Sequence, residues 1–188
     1  KKINSGENTM KITVITGSPR KHGNSFAMTD AFIKEAEKCG HTIQRFDAAF
    51  MKITGCHSCM TCYKTGKACS YNEAFDAVAS SILESDAVVF STPVYWYSIP
   101  AQIKGVIDCL FSLVVGGKSY AGKKWVLITC CEEHDATVMD GIRIPMERTA
   151  TLLKWEKAGE VLIPGVLNEG EINNTDGCRQ AKELARKL

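Results

Sequence analysis

Short apolar stretches alternate with amphipathic ones along the chain, and this rhythm predicts alternating strands and helices. Residues 11–16 (KITVIT) are rich in β-branched side chains, and residues 86–91 (DAVVFS) are apolar almost throughout, as in a strand covered on both faces. Between them, apolar residues recur at helical spacing after Asn24 or Ser25, either of which can cap a helix. The predicted strands are 11–16, 42–46, 86–91, 124–129 and 160–163, and the predicted helices are 24–38, 73–84, 100–113, 145–157 and 174–188.

This order of elements predicts a three-layer, doubly wound α/β sheet. Each connection is long enough to join parallel neighbours by a right-handed crossover, and five strands with this rhythm suit the order 2-1-3-4-5. In such a sheet the ligand lies outside the carboxyl ends of the strands, where strands 1 and 3 diverge. A length of 188 residues suits one domain, which we expect over residues 10–188, with residues 1–9 an N-terminal extension or expression remnant before Met10.

Composition and charge narrow the function classes. A formal net charge of +2, with basic residues spread along the chain, argues against nucleic acid as a partner. No apolar run approaches the ~18 residues of a membrane span, so no membrane association is expected. Residues 1–9 are polar and lack the apolar stretch of a secretory signal. We therefore expect a cytoplasmic protein.

The turn after the first predicted strand, residues 17–25 (GSPRKHGNS), has the chemistry of an anion site. Its glycines let the backbone approach a ligand, Ser18, Asn24 and Ser25 offer polar side chains, and Arg20 carries a permanent positive charge. The free N–H groups of the following helix also favour a phosphate. The turn has neither the P-loop nor the dinucleotide pattern. An ordinary capped strand–helix turn is the alternative.

The loop after the third predicted strand, residues 91–100 (STPVYWYSIP), holds three consecutive aromatic residues between prolines. Aromatic faces stack on flat heterocycles, and prolines reduce the entropy that a loop loses on holding a ligand. The alternative is that Trp96 and Tyr97 pack under a partner subunit or into the core. This loop should lie opposite residues 17–25, at the place where strands 1 and 3 diverge. The two segments together therefore predict a planar ligand with a phosphate tail, such as FMN.

These two segments also carry a family resemblance. GSPR at 17–20 with GNS at 23–25, and STPVY at 91–95 with IPAQIK at 99–104, resemble the NADPH-dependent FMN reductase family of flavodoxin-like proteins. The resemblance implies that the FMN phosphate is held by Ser18, Arg20, Asn24 and Ser25. It implies that the isoalloxazine ring lies along Pro93, Val94, Tyr95, Trp96, Tyr97 and Ser98. It also implies a homo-oligomer, and a third ring contact from residues 129–132 (TCCE), which lack the small residues common there.

Nine cysteines are a high number for a chain without secretion signals, and four of them lie close together at Cys56, Cys59, Cys62 and Cys69. This spacing suits a [4Fe–4S] cluster and resembles the iron–sulfur flavoproteins, in which a cluster passes electrons to FMN. Metal-free thiols near the flavin, a zinc site and a disulfide pair remain open. Most of the other cysteines are interpreted as small core residues: Cys39, Cys109, Cys130, Cys131 and Cys178.

Three functions follow from these observations. The first is an FMN-dependent oxidoreductase that takes hydride from NADH or NADPH and passes electrons to a small acceptor, such as a quinone, a nitro compound or a flavin. The second is an iron–sulfur electron carrier that exchanges electrons with a ferredoxin-like protein. The third is a regulatory flavin-binding module. No general acid or base stands out, which suits an enzyme whose cofactor performs the hydride chemistry.

Overall fold

The computed structural model describes residues 9–188 and contains one sheet of five parallel strands in the order β2-β1-β3-β4-β5. The predicted flavodoxin-like class, a three-layer sheet with strand order 2-1-3-4-5, is therefore confirmed. The N-terminal extension predicted for residues 1–9 lies, except for Thr9, outside the described residues. The strands are β1 Lys11–Thr16, β2 Thr42–Asp47, β3 Ala87–Pro93, β4 Lys124–Cys130 and β5 Glu156–Ile163. The helices are α1 Asn24–Lys38, α2 Phe75–Glu84, α3 Ala101–Cys109, α4 Phe111–Val115, α5 Asp140–Leu152 and α6 Gly177–Ala185.

Helices cover both faces of the sheet, because the central strands are apolar on both sides. In β3, Val88 and Phe90 pack into the core formed with α2, α3, α4 and α5, whereas Val89 packs into the opposite core formed with α1 and α6. All three side chains are buried, as the unbroken apolar run predicts. Within residues 9–188, no helix has both the length and the apolar character needed to cross a bilayer.

The boundary between α5 and β5 differs from the prediction. The predicted helix 145–157 instead begins at Asp140 and ends at Leu152, with Pro145 inside it, and β5 begins at Glu156 rather than at residue 160. Tertiary packing explains the difference, since the Trp155 indole N–H donates to the Tyr120 carbonyl at 2.6 Å. Gly159 lies within β5, and the close packing of α6 requires a glycine there, because a Cβ would come within 2.5 Å of a Leu184 methyl.

A second difference is that the predicted helix 100–113 is divided into α3 and α4, which meet at Leu110. The final predicted helix is also shorter, since α6 covers Gly177–Ala185 and follows a 3₁₀ turn at Glu171–Asn174. Neither change affects the order of the strands, so the loops that follow β1, β3 and β4 still meet at one edge of the sheet.

Candidate functional site

A cleft of about 480 Å³ opens at the carboxyl ends of the central strands. Ligand sites in proteins commonly have volumes of this order. Its walls come from the glycine turn (residues 17–25), the aromatic turn (residues 93–98), residues 130–133 after β4 and the segment 166–169 after β5. The predicted flavin contacts that line it are Ser18, Arg20, Asn24, Ser25, Pro93, Val94, Tyr95, Trp96 and Tyr97, whereas Ser98 does not line it.

The glycine turn ends at an uncapped helix terminus. Gly23 is the N-cap residue of α1 and supplies no side chain, so the first backbone N–H groups of the helix have no side-chain acceptor. Ser18 is buried, and its hydroxyl oxygen accepts a hydrogen bond from the Arg20 N–H at 3.1 Å. An uncapped 15-residue helix that begins at a cleft favours a bound anion there.

The side chains of Asn24 and Arg20 also make contacts with the loop after β5. The Asn24 amide donates to the Asn168 carbonyl at 2.9 Å and accepts from the Ile172 N–H at 3.2 Å. One Arg20 guanidinium nitrogen donates to the Leu167 carbonyl at 3.3 Å, which leaves its other N–H groups available. Asn24 thus ties the start of α1 to the loop, and its backbone rather than its side chain is the part free to meet a ligand.

Gly17 brings the glycine turn against the end of β3. Its N–H donates to the Ser91 carbonyl at 2.8 Å, and a Cβ at this position would lie 2.8 Å from an Ile103 methyl and would collide with Thr92. Only glycine allows this approach, which is tighter than side-chain contacts normally permit. The close packing explains why the glycine turn and the aromatic turn border a single cleft.

The aromatic turn has a backbone conformation that aromatic residues rarely adopt. Tyr95 and Ser98 exchange backbone hydrogen bonds of 3.1 and 3.0 Å, while Trp96 (φ 46°) and Tyr97 (φ 60°) between them lie in the left-handed region. This is the geometry of a two-residue type I′ turn, which normally contains Asn and Gly. Each non-glycine residue held this way costs about 1–3 kcal/mol, and such strain clusters at functional sites.

Contacts with the end of β4 and the start of α5 hold the aromatic turn in place. The Val94 N–H donates to the Cys130 carbonyl at 3.0 Å, which joins the turn to the end of β4. Gly141, at the start of α5, lies so close to the Tyr97 carbonyl that any Cβ would overlap it. Trp96 remains 93% exposed and Tyr97 56% exposed, so the turn presents its aromatic rings at the mouth of the cleft.

The wall after β4 contains residues for which the sequence pattern indicated no definite role. Cys130 and Cys131 are buried, and burial raises the pKa of Cys130 to about 12, so it is a neutral thiol at physiological pH. Glu133 lies beside Tyr97, and their hydrogen bond raises the pKa of the phenol. Two signals in the sequence indicated that this segment would border the ligand, namely its position after a central strand and the third ring contact that the family resemblance implies for residues 129–132.

The cysteine loop, defined as residues 56–69, lies away from the cleft. Cys56 and Cys59 are exposed and Cys62 and Cys69 are partly exposed, and none of the four lines the cleft. The thiols that do line it are those of Cys130 and Cys131, which were interpreted as core residues. Within residues 9–188, no group of three or more His, Cys, Asp or Glu side chains is arranged to hold a metal ion.

The Cys62 thiol is nevertheless within electrostatic range of the other three thiols of the loop, and the Asn72 amide links Cys69 to a fifth thiol, Cys109. Burial and then the charges of Cys56, Cys59 and Cys69 raise the pKa of Cys62. The buried Asn72 amide donates to Cys69 at 3.6 Å and to Cys109 of α3 at 3.3 Å.

Asn72 also closes the base of this loop, because its carbonyl oxygen accepts from the Thr54 N–H at 2.7 Å and its amide donates to the Thr54 carbonyl at 3.1 Å. The spacing of the cysteines did not predict the proximity of Cys109, since that residue lies 40 positions after Cys69 and on another element.

Comparisons with known proteins agree with this architecture. The profile of the family described as NADPH-dependent FMN reductase matches residues 10–141. An iron–sulfur flavoprotein of Archaeoglobus fulgidus is 39% identical over 99 residues, which are 53% of this chain and 44% of the relative. The chain thus spans about half the length of the curated relatives it matches.

Two solved structures have the same fold. An NAD(P)H:quinone oxidoreductase from Methanothermobacter marburgensis superposes with a TM-score of 0.77 at 15% identity, covering 96% of both chains. An FMN-dependent NADH-azoreductase from Bacillus anthracis, solved in complex with FMN, gives a TM-score of 0.68 at 14% identity, covering 95% of this chain and 99% of the other. At these identities the likeness shows the fold alone. The family profile shows more, and the chain belongs to the NADPH-dependent FMN reductase family of flavodoxin-like proteins.

Proposed function

We propose that this chain binds FMN in the cleft and is an NAD(P)H-dependent oxidoreductase that passes electrons to a small acceptor. The observation that carries the proposal is that the uncapped start of α1 and the strained aromatic turn border one cleft at the carboxyl edge of a parallel sheet. A phosphorylated planar heterocycle matches both ends, since anions bind at helix N-termini and flat rings stack on aromatic side chains. Membership of an FMN reductase family supports this assignment.

In this proposal the glycine turn holds the phosphate. The backbone N–H groups at the start of α1 and the Ser18 and Ser25 hydroxyl groups supply hydrogen bonds, and Arg20 supplies the positive charge. Both serines are buried and line the cleft, and the Ser18 hydroxyl is oriented by the hydrogen bond that it accepts from the Arg20 N–H. Asn24 acts indirectly, by fixing the start of the helix through Asn168 and Ile172.

The aromatic turn and the wall after β4 enclose the ring. FMN supplies the hydride and electron chemistry when bound, so the protein's task is to orient the ring and leave one face open to a second substrate. Pro93 to Tyr97 form one side and Cys130 and Cys131 another, while the exposed Trp96 stands at the mouth. NADH or NADPH is the proposed hydride donor, and a quinone, a nitro compound or a flavin is the proposed acceptor.

Anaerobic reduction of the FMN-loaded protein tests this function. The protein is saturated with FMN, freed of excess ligand and mixed with NADH or NADPH while the flavin absorbance is followed. We expect at least one nucleotide to bleach the flavin, and a quinone to restore the colour with turnover. A protein that binds no FMN, or whose bound FMN neither nucleotide reduces, contradicts the proposal. A Ser25→Ala variant should bind FMN more weakly, whereas Ser80→Ala, an exposed change on α2, should not.

A second candidate function is an iron–sulfur flavoprotein that carries electrons between FMN and a ferredoxin-like protein. It is supported by the spacing of Cys56, Cys59, Cys62 and Cys69, by the electrostatic influence of the other three on Cys62, and by the name of the Archaeoglobus fulgidus relative. As the loop stands, its thiols do not fit a metal ion, so a cluster requires the loop to close around it. The proposed FMN site in the cleft is the same for the oxidoreductase and for the electron carrier.

Iron and acid-labile sulfide analysis after anaerobic purification separates the two functions. About four irons and four sulfides per chain, with a brown colour, favour the carrier, and a yellow protein without iron favours the reductase. Cys62→Ser is the informative variant, because Cys62 is the thiol influenced by the other three. Cys178→Ser on α6 is the matched control, and it should leave the iron content unchanged.

A further inference from the structure

The charged side chains of the cleft are unevenly distributed between its two ends. Among the described residues that line the cleft, Arg20 on the glycine turn is the only lysine or arginine. Glu132 and Glu133 also line the cleft, and Glu133 lies next to Tyr97 on the aromatic turn. Glu169 lies after β5, in the segment that packs against the glycine turn. The end assigned to the ring therefore carries two carboxylates and no basic side chain among the lining residues.

The backbone that bears these carboxylates is held in place. The Glu133 carbonyl accepts from the Gly165 N–H at 2.9 Å and from the Cys131 thiol at 3.3 Å. The Cys131 carbonyl accepts from the Val166 N–H at 2.9 Å. Although both glutamates are exposed, their main chain is tied to the loop after β5. These bonds hold the backbone of both residues at the wall of the cleft.

Trp96 adds a second feature at the same end. Its indole is 93% exposed, and the left-handed turn keeps it at the mouth of the cleft at a cost in backbone energy. An indole face stacks on planar rings and attracts cations through its negative face. Trp96 lines the same cleft as the two carboxylates.

Building on the proposed function, we infer that the ring end of the cleft selects planar acceptors that are uncharged or cationic and disfavours anionic ones. Glu132 and Glu133 repel an anionic substituent carried on the acceptor ring, Trp96 stacks on the ring of a neutral or cationic acceptor, and Arg20 is occupied at the phosphate end. The nicotinamide ring of the proposed donor carries no anionic substituent, and a ribose separates it from the phosphates. For a quinone, a hydride from NAD(P)H and one proton from solvent yield the hydroquinone and NAD(P)⁺. The acceptor class is therefore a neutral quinone or a similar flat molecule rather than a sulfonated or phosphorylated one.

A matched pair of acceptors tests this inference, namely 1,4-naphthoquinone and its 2-sulfonate. The FMN-loaded protein is reduced with dithionite, freed of excess reductant and mixed anaerobically with each acceptor in a stopped-flow instrument. The readout is the ratio of the two reoxidation rate constants, neutral over anionic. The intrinsic reactivities of the two quinones cancel when this ratio is compared between wild type and a variant carrying both Glu132→Gln and Glu133→Gln.

We expect the ratio to fall on the order of fivefold in the double variant, as exposed charges that act in concert allow. It should not change in Glu156→Gln, which removes an exposed carboxylate at the opposite edge of the sheet. In the wild type, added salt should also lower the ratio, because screening weakens repulsion between exposed charges. The salt series uses no variant, so it tests the inference even if the double variant folds poorly.

An unchanged ratio in a folded double variant, or a wild-type ratio that does not respond to salt, overturns the inference. Because dithionite supplies the electrons, these results do not depend on reduction by a nucleotide. Failure of NADH and NADPH to reduce the flavin would overturn the proposed function while the acceptor preference is still measured. Failure to bind FMN would overturn both together.

Discussion

The close approach of Gly141 to the aromatic turn makes Gly141→Ala a sensitive perturbation. An ideal Cβ at residue 141 would lie 2.8 Å from the carbonyl carbon of Tyr97, and closer still to its oxygen. Carbon atoms in good contact are about 3.5–4.0 Å apart, and the overlap with the oxygen is larger than the overlap with the carbon, so the turn and the start of α5 must separate by more than about 1 Å. Overpacking of this kind costs about 1–3 kcal/mol, and alanine recovers up to about 1 kcal/mol because it favours helix more than glycine does.

We expect Gly141→Ala to weaken FMN binding about tenfold, or ~1.4 kcal/mol, because the aromatic wall moves away from the ring position. The assay is a titration of apoprotein with FMN followed by quenching of flavin fluorescence, with a thermal melt of the apoprotein beside it. Gly55→Ala is the matched control, since its Cβ would meet Asp108 at an ordinary 3.4 Å. An FMN dissociation constant within twofold of wild type, in a variant that melts normally, would refute the reasoning.

Three further predictions concern the turn, the helix contacts and the cysteine loop. Tyr97→Gly should raise the free energy of unfolding of the apoprotein by about 1 kcal/mol in urea, because glycine relieves the left-handed strain, while FMN binds more weakly. The hydrogen bond from Arg186 is the main cause that lowers the pKa of Glu35, so its stabilisation is present above the ordinary value of 4.5 and lost as the pH falls through the lowered pKa. The difference in melting temperature between wild type and Glu35→Gln should therefore shrink as the pH falls below 4.5 and through the lowered pKa, and a constant difference would contradict this. Asn72→Ala should lower the free energy of unfolding by about 1–3 kcal/mol and speed alkylation of Cys69 by iodoacetamide, and an unchanged rate would exclude Asn72 as its anchor.

The features of the fold that the sequence predicts are those set by local patterning. The unbroken apolar run of β3 requires cover on both faces, which leads to parallel strands and the observed order. The glycine turn was predictable as a strand–helix junction because its glycine, serine and asparagine residues favour a turn and a helix start, while its role as an anion site stayed open beside an ordinary capped turn. Its partner, the aromatic turn, was predictable because aromatic residues between prolines are unusual in an exposed loop.

Other features depend on contacts that local patterning does not contain. The extent of α5 and β5 is decided by the burial of Trp155 and by the space that Gly159 leaves for α6. Cys109 of α3 lies near Cys69 of the cysteine loop because the buried Asn72 amide donates hydrogen bonds to both thiols. The position of Glu132 and Glu133 in the wall of the cleft depends on the tertiary fold, so the sequence did not indicate a role for their charge.

The most direct test of the central claim is a crystal structure of the protein grown with FMN. We expect the phosphate to accept hydrogen bonds from the backbone N–H groups at the start of α1 and from Ser18 or Ser25. We expect the isoalloxazine ring to lie against residues 95–97, with Glu132 and Glu133 at its open side. A flavin bound elsewhere, or with its phosphate away from the glycine turn, would contradict the account.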